Sequence, residues 1–146
     1  MAAEAPQSRI RICIMDVIGS EQRATTRARA DYFTGTVWLD TIPVNAPPAR
    51  LRAYRVFFEP GARTAWHTHP VGQVLHILSG VGRVQSHGGP VLTVHPGDTV
   101  VIQPGERHWH GAAPDHAMSH LAMQEADDNG VDVAWFDQVT DAEYNR

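Results

Sequence analysis

Two short blocks of the chain concentrate its metal-ligating side chains. The first carries His67, His69 and Gln73; the second carries His108 and His110. Residues two apart on a strand point to the same face. His67 and His69 therefore share a face, as do His108 and His110, with Trp109 opposite. A tight turn through Pro70 and Gly72 lets the next strand bring Gln73 back beside the first pair. The imidazoles of His67, His69 and His108 and the side-chain carbonyl of Gln73 can then converge on one point. That donor set suits a divalent first-row ion such as Mn, Fe, Co, Ni or Zn. Because Gln73 is neutral, the ion's charge is not offset by protein, which favours Lewis-acid chemistry. A fifth ligand would leave little room for substrate, so His110, one pleat further along, is read as a general base beside the metal.

Each residue also has a plainer reading. An isolated strand histidine is satisfied by hydrogen bonds, Gln73 can be a polar residue leaving a turn, and His110 can be structural. The joint spacing favours ligation. His120 and Gln124 lie four apart on one later strand; they face either the interior or an outward polar surface, and spacing alone does not decide. Tyr54 and Val56 share the face of an earlier strand and read as pocket wall or core, with Phe58 as core. His76 is out of phase with Gln73, Leu75 and Ile77 and should point outward. His87, His95 and His116 fall in turns and should be solvated. Trp66 and Trp109, on the far face from the ligands, should pack in a core.

The composition narrows the chemistry further. Among 146 residues are nine His, 12 basic and 16 acidic residues, for a net charge of −4. That balance argues against nucleic acid or an anionic membrane as partner. Every basic residue is Arg, so Schiff-base and Lys-dependent phosphate chemistry are excluded. The single Cys13 permits no internal disulfide and no Cys-based zinc site, and reads as a small buried hydrophobe. Residues 1–8 lack the pattern of a secretory leader, and no stretch approaches the ~20 apolar residues of a membrane helix. A soluble, cytoplasmic protein acting on a small-molecule substrate is expected.

The elements that must position these residues are strands. Residues 9–17 alternate Ile10, Ile12 and Ile14 with Arg9, Arg11 and Cys13, the period of a strand with one apolar face. Residues 21–30 admit a short helix or a connector. Residues 33–39 are β-rich, and Pro43, Pro47 and Pro48 make residues 41–49 irregular. From Arg50 onward, short β-branched or aromatic runs are cut by Pro60-Gly61, Ser79-Gly80, Gly88-Gly89-Pro90, Pro96-Gly97 and Pro104-Gly105. Many short strands between such turns predict an all-β antiparallel sandwich or small barrel. Thr140 followed by Glu143 predicts a capping box opening a short C-terminal helix.

The spacing also resembles a named signature. Gly61-x5-His67-x-His69-x3-Gln73-x6-Gly80 is similar to the first motif of the cupin superfamily, with Gln73 where Glu is usual. Gly97-x5-Gln103-x-Gly105-x2-His108 is similar to the second, with Gln103 where Pro is usual and Ala112 where Asn is usual. The resemblance implies a jelly-roll barrel (a double-stranded β-helix) with a metal inside, and homodimers or higher homo-oligomers. On this reading residues 1–30 are an N-terminal extension whose strand is free to pair with a partner's sheet edge, and residues 31–146 are one cupin domain.

A closer likeness runs over residues 31–146. YFTGTV from Tyr32, FEPGARTAWHTHP from Phe58, HPGD from His95, PGE from Pro104, HWHGAAP from His108, AMSHLA from Ala117 and VTDAEY from Val139 resemble the bacterial cupin hydroxynitrile lyases. This implies manganese, and reversible loss of cyanide from a cyanohydrin. It also implies pocket roles for His120, in proton handling, and Gln124, in a hydrogen bond to substrate or cyanide. Tyr54 departs from that pattern, which has a small residue there. Two other classes stay open. One is a different metal-dependent cupin enzyme (oxygenase, isomerase, decarboxylase or cyclase); the other is a metabolite-binding cupin without catalysis.

Overall fold

A computed structural model describes residues 15–146. In chain order the strands are β1 (Thr25–Arg27), β2 (Phe33–Thr34), β3 (Val37–Ile42), β4 (Leu51–Phe58), β5 (Arg63–Thr64), β6 (His67–Thr68) and β7 (Gln73–Gly80). They continue as β8 (Gly82–Ser86), β9 (Leu92–Val94), β10 (Thr99–Ile102), β11 (His108–Ala112), β12 (Met118–Glu125) and β13 (Ala134–Trp135), ahead of helix α1 (Asp141–Tyr144). The strands form two antiparallel sheets. One has the order β1-β3-β4-β12-β7-β10. In the other, β11 lies centrally, with β8 and then β9 on one edge. On its other edge lie β5 and β6, carrying β2 and β13 outside them.

Alternation places the apolar face of each sheet inward. The core between them contains Val56, Phe58, Leu75, Ile77, Met118 and Ala122, all below a tenth exposed. The register aligns His120 with Val56 and Ile77, and Gln124 with Gln73. In the second sheet His108 pairs with His67. The polar residues of the two motifs thus replace apolar ones at one end of the core. At the entry to β7, Gly72 has φ of 85° and donates its N–H to the His69 carbonyl at 3.2 Å. A Cβ there would lie 2.7 Å from the Ile102 carbonyl oxygen, so the turn that delivers Gln73 requires glycine.

A second apolar cluster sits on the outer face of β11, where Trp109 packs with Trp66, Val139 and Tyr144. The predicted capping box is present: Thr140 Oγ1 accepts the Glu143 N–H, and the Glu143 side chain accepts the Thr140 N–H. Buried Arg63 donates to the Val139 carbonyl and to Asp141, and its guanidinium lies 4.6 Å from the Tyr144 ring centroid. Tyr144 donates its hydroxyl proton to the Ala112 carbonyl at 2.6 Å. The tail therefore clamps the strand whose opposite face carries His108 and His110.

Residues 21–30, undecided between helix and connector, supply part of a 3-10 turn over Ser20–Gln22 and the edge strand β1, paired with β3. The β-rich run over residues 33–39 divides at Gly35, whose φ is 80°, into β2 and β3. Cys13 and most of the strand expected over residues 9–17 lie outside the described residues. Residues 15–17 are exposed and carry no strand. Trp109→Ala should destabilise the chain by about 3–5 kcal/mol, and Tyr144→Phe by about 1 kcal/mol through its lost hydrogen bond. Urea denaturation should show both losses, with exposed His87→Ala unchanged.

Candidate metal centre

A cavity of about 270 Å³ opens between the sheets. Tyr54, Val56, Ala122 and Gln124 line it from the first sheet; Thr64, His67, His110 and Trp135 line it from the second. His69 and Gln73 complete the polar wall, and Tyr32, Phe33 and Leu39 add an apolar one. His108 is 3% exposed and sits against Gln73; His120 is fully buried behind His110. All nine residues singled out in the sequence are thus in or immediately behind one site. His76 instead meets Thr99 Oγ1 on the outer face at 3.0 Å, and His87, His95 and His116 are exposed.

The imidazole protons are fixed by what each ring touches. A carbonyl oxygen can only accept. His67 Nδ1–H therefore donates to the Ala65 carbonyl (2.9 Å), His108 Nδ1–H to that of Glu106 (2.8 Å), and His69 Nδ1–H to that of Asp132 (2.6 Å). Burial lowers the pKa of all three, with His108 brought down to about 4. Neutral rings with their proton on Nδ1 present a bare lone pair at Nε2. His69 Nε2 is buried with no partner. His108 Nε2 faces Gln73 Oε1 at 3.2 Å, two acceptors toward each other. Gln73 Oε1 is turned that way because Gln73 Nε2 donates to Gln124 Oε1 at 3.0 Å. Facing lone pairs and an orphaned ring nitrogen fit a cation between them, and this donor set fits a divalent ion.

His110 is held differently. Its Nδ1 meets His120 Nε2 at 3.0 Å, while His110 Nε2 and His120 Nδ1 are buried without partners. Burial lowers the pKa of both rings, that of His120 to about 4, and the neighbouring rings of His120, His67, His108 and His69 further disfavour a charge on His110. The pair is neutral and shares one hydrogen bond. Nitrogens of His67, His108 and His110 also lie within 4.8 Å of one another. The geometry therefore makes His110 competent as a ligand as well as a base. His69 stands at ring-centroid distances of 5.1 Å from His67 and 5.5 Å from His108.

Several contributors escaped the sequence reading. Trp135 pairs with His67 in register and packs 4.7 Å from its ring, stacked in turn on Tyr32 at 4.7 Å. Thr64 Oγ1 accepts the His110 backbone N–H at 3.2 Å. Asp132 touches both His69 and Gln124. None carries a motif spacing, although the alternation leading to Trp135 is a weak strand signal.

A Cupin domain family model matches residues 54–123. The chain is 52% identical to an (R)-mandelonitrile lyase of Granulicella tundricola over 129 residues, 88% of this chain and 96% of that protein. The chain belongs to the cupin superfamily. A cupin-like protein from Thermotoga maritima superposes with a TM-score of 0.77 at 36% identity, covering 90% of this chain and 96% of that one. The polyketide cyclase RemF from Streptomyces resistomycificus shares the cupin fold (TM-score 0.69, 16% identity, 90% and 92% coverage). No helix of the described residues is long and apolar enough to cross a membrane.

The buried neutral histidines give the metal-free cupin a defined pH response. Unfolded histidine takes a proton near 6.5, whereas folded His108 and His120 take one only near 4. Between those values the unfolded state binds more protons, so stability falls as the pH falls. By pH 5 each of the two should remove about 2 kcal/mol. The urea midpoint of the metal-free chain should drop clearly between pH 7.5 and pH 5.

Proposed function

We propose that this cupin is a metal-dependent hydroxynitrile lyase that reversibly cleaves a cyanohydrin into an aldehyde and cyanide. The observation that carries this reading is the neutral His110–His120 pair beside the cluster of bare Nε2 lone pairs. The 52% identity to a protein named a mandelonitrile lyase supports it. His67, His69, Gln73 and His108 would hold the ion, for which manganese is the proposed identity. When bound, it would supply Lewis-acid activation of the substrate hydroxyl.

The chain's own groups handle the proton. With its proton on Nδ1, donated to His120 Nε2, His110 offers Nε2 as the base. His110 takes the hydroxyl proton, and the oxygen electrons form the aldehyde C=O. The C–C pair leaves with cyanide, which departs as hydrogen cyanide on taking a proton back from the pair. His120 shares the transient positive charge through the His110 contact. Phe58, with its ring centroid 5.9 Å from that of His110 and 5.4 Å from that of His120, keeps water from this pair. Gln124 has its carbonyl engaged by Gln73 and one amide proton engaged by Asp132. Its remaining N–H is the group that could meet substrate or cyanide.

Tyr32, Phe33 and Trp135 offer aromatic faces to an aryl substituent. Tyr54, half-buried on the opposite wall, fills space that the resembling lyases leave to a small residue.

The test is release of benzaldehyde from mandelonitrile by manganese-loaded protein, against a metal-stripped control. Absence of release above that control overturns the reading. His110→Ala should keep its metal yet lose about 10²–10⁴-fold in kcat. Loss of metal in that variant would instead make His110 a ligand. His67→Ala should lose metal and activity together. Tyr54→Ala should raise kcat/KM for cyanohydrins with larger substituents, measured as aldehyde release across a substrate series.

A further inference from the structure

One residue outside both motifs contacts one proposed ligand, His69, and Gln124, the hydrogen-bond partner of another, Gln73. Asp132 follows a turn closed by Asp127, whose Oδ1 accepts the N–H groups of Asn129 and Val131, both at 2.9 Å. This turn fixes where Asp132 leaves the loop. The Asp132 backbone carbonyl takes the His69 Nδ1 proton. The Asp132 side chain points the other way: Oδ2 accepts from Gln124 Nε2 at 3.1 Å. Gln124 Oε1 accepts from Gln73 Nε2 at 3.0 Å, and Gln73 Oε1 is turned to His108.

We infer that Asp132 is a positioning residue for the metal centre, acting on Gln73 through Gln124; this rests on the metal-site reading above. The chain of contacts has a direction. A carboxylate only accepts, so Gln124 must present its N–H to Asp132 and its carbonyl to Gln73. Gln73 must then present its N–H to Gln124 and its carbonyl to the centre. Without Asp132 the Gln124 amide can turn over, and Gln73 with it, so that Gln73 would offer the metal an N–H, which no cation accepts. The relay also carries charge. Each hydrogen-bonded amide is polarised by the one before it, so the negative Asp132 makes Gln73 Oε1 a stronger donor. The relay thus restores, two amides away, part of the charge lost by having Gln73 where cupins usually carry glutamate. Both amides are buried, Gln73 5% and Gln124 8% exposed, so water does little to screen the effect.

The experiment is calorimetric titration of Mn2+ into the metal-stripped full chain, with the backbone carbonyl at 132 retained in every variant. Asp132→Ala and Gln124→Ala should each weaken binding by about 10–100-fold. Asp132→Asn keeps an acceptor but removes the charge, and should weaken it by an intermediate factor. The double variant Asp132→Ala/Gln124→Ala should bind no more weakly than Gln124→Ala alone, because both act through one path. Thermal melts of the metal-free variants check that each is folded, and Asp132→Asn carries the test should Asp132→Ala not fold. Wild-type affinity in Asp132→Ala or Asp132→Asn overturns the inference, as do losses that multiply in the double variant. A wild-type chain that binds no divalent ion overturns the metal-site reading as well, which separates the two failures.

Discussion

A neutral imidazole carries one proton, and the nitrogen that holds it decides what the other can do. In this cupin three backbone carbonyls make that choice. Ala65, Glu106 and Asp132 take the Nδ1 protons of His67, His108 and His69, leaving three Nε2 lone pairs committed to no protein donor. Burial keeps the rings neutral. His110 and His120 have no such carbonyl and share a hydrogen bond with each other. The rings proposed as ligands have their protons fixed by carbonyls, and the pair proposed as the base shares its proton between two rings. The proposed division between holding a metal and moving a proton thus rests on hydrogen bonds rather than on residue type.

The two sheets supply different halves of this arrangement. The sheet around β11 contributes His67, His108 and His110, and the C-terminal tail packs on its Trp109 from outside. The sheet containing β7 and β12 contributes Gln73, His120 and Gln124, aligned by strand register. The loop between β12 and β13 links the two sheets, since Asp132 contacts His69, just past β6, and Gln124 on β12. Apolar residues fill the rest of the interior, and within the polar cluster the unpartnered buried atoms, His69 Nε2, His110 Nε2 and His120 Nδ1, are all imidazole nitrogens of the candidate site.

Much of this was legible in the sequence, and for local reasons. Period-two alternation and regularly placed Pro-Gly turns define the strands, and two-residue spacings put His67 with His69 and His108 with His110. The hydrogen bonds of His67 and His108 are local too, each to the carbonyl two residues earlier. His69 instead relies on Asp132, 63 residues away, which no local pattern announces. The inward direction of His120 and Gln124 came from the resemblance, because strand parity alone left both faces open. β1 was missed because its residues are polar on both faces, and an edge strand with no buried side has no alternation to read.

In the proposed arrangement three imidazoles bind the ion while His110 stays free to carry a proton. X-ray absorption fine structure of the manganese-loaded chain counts imidazole rings directly through their outer-ring scattering. Three rings, with oxygen as the remaining donors, is the result this arrangement requires. Four rings would make His110 a ligand and contradict it.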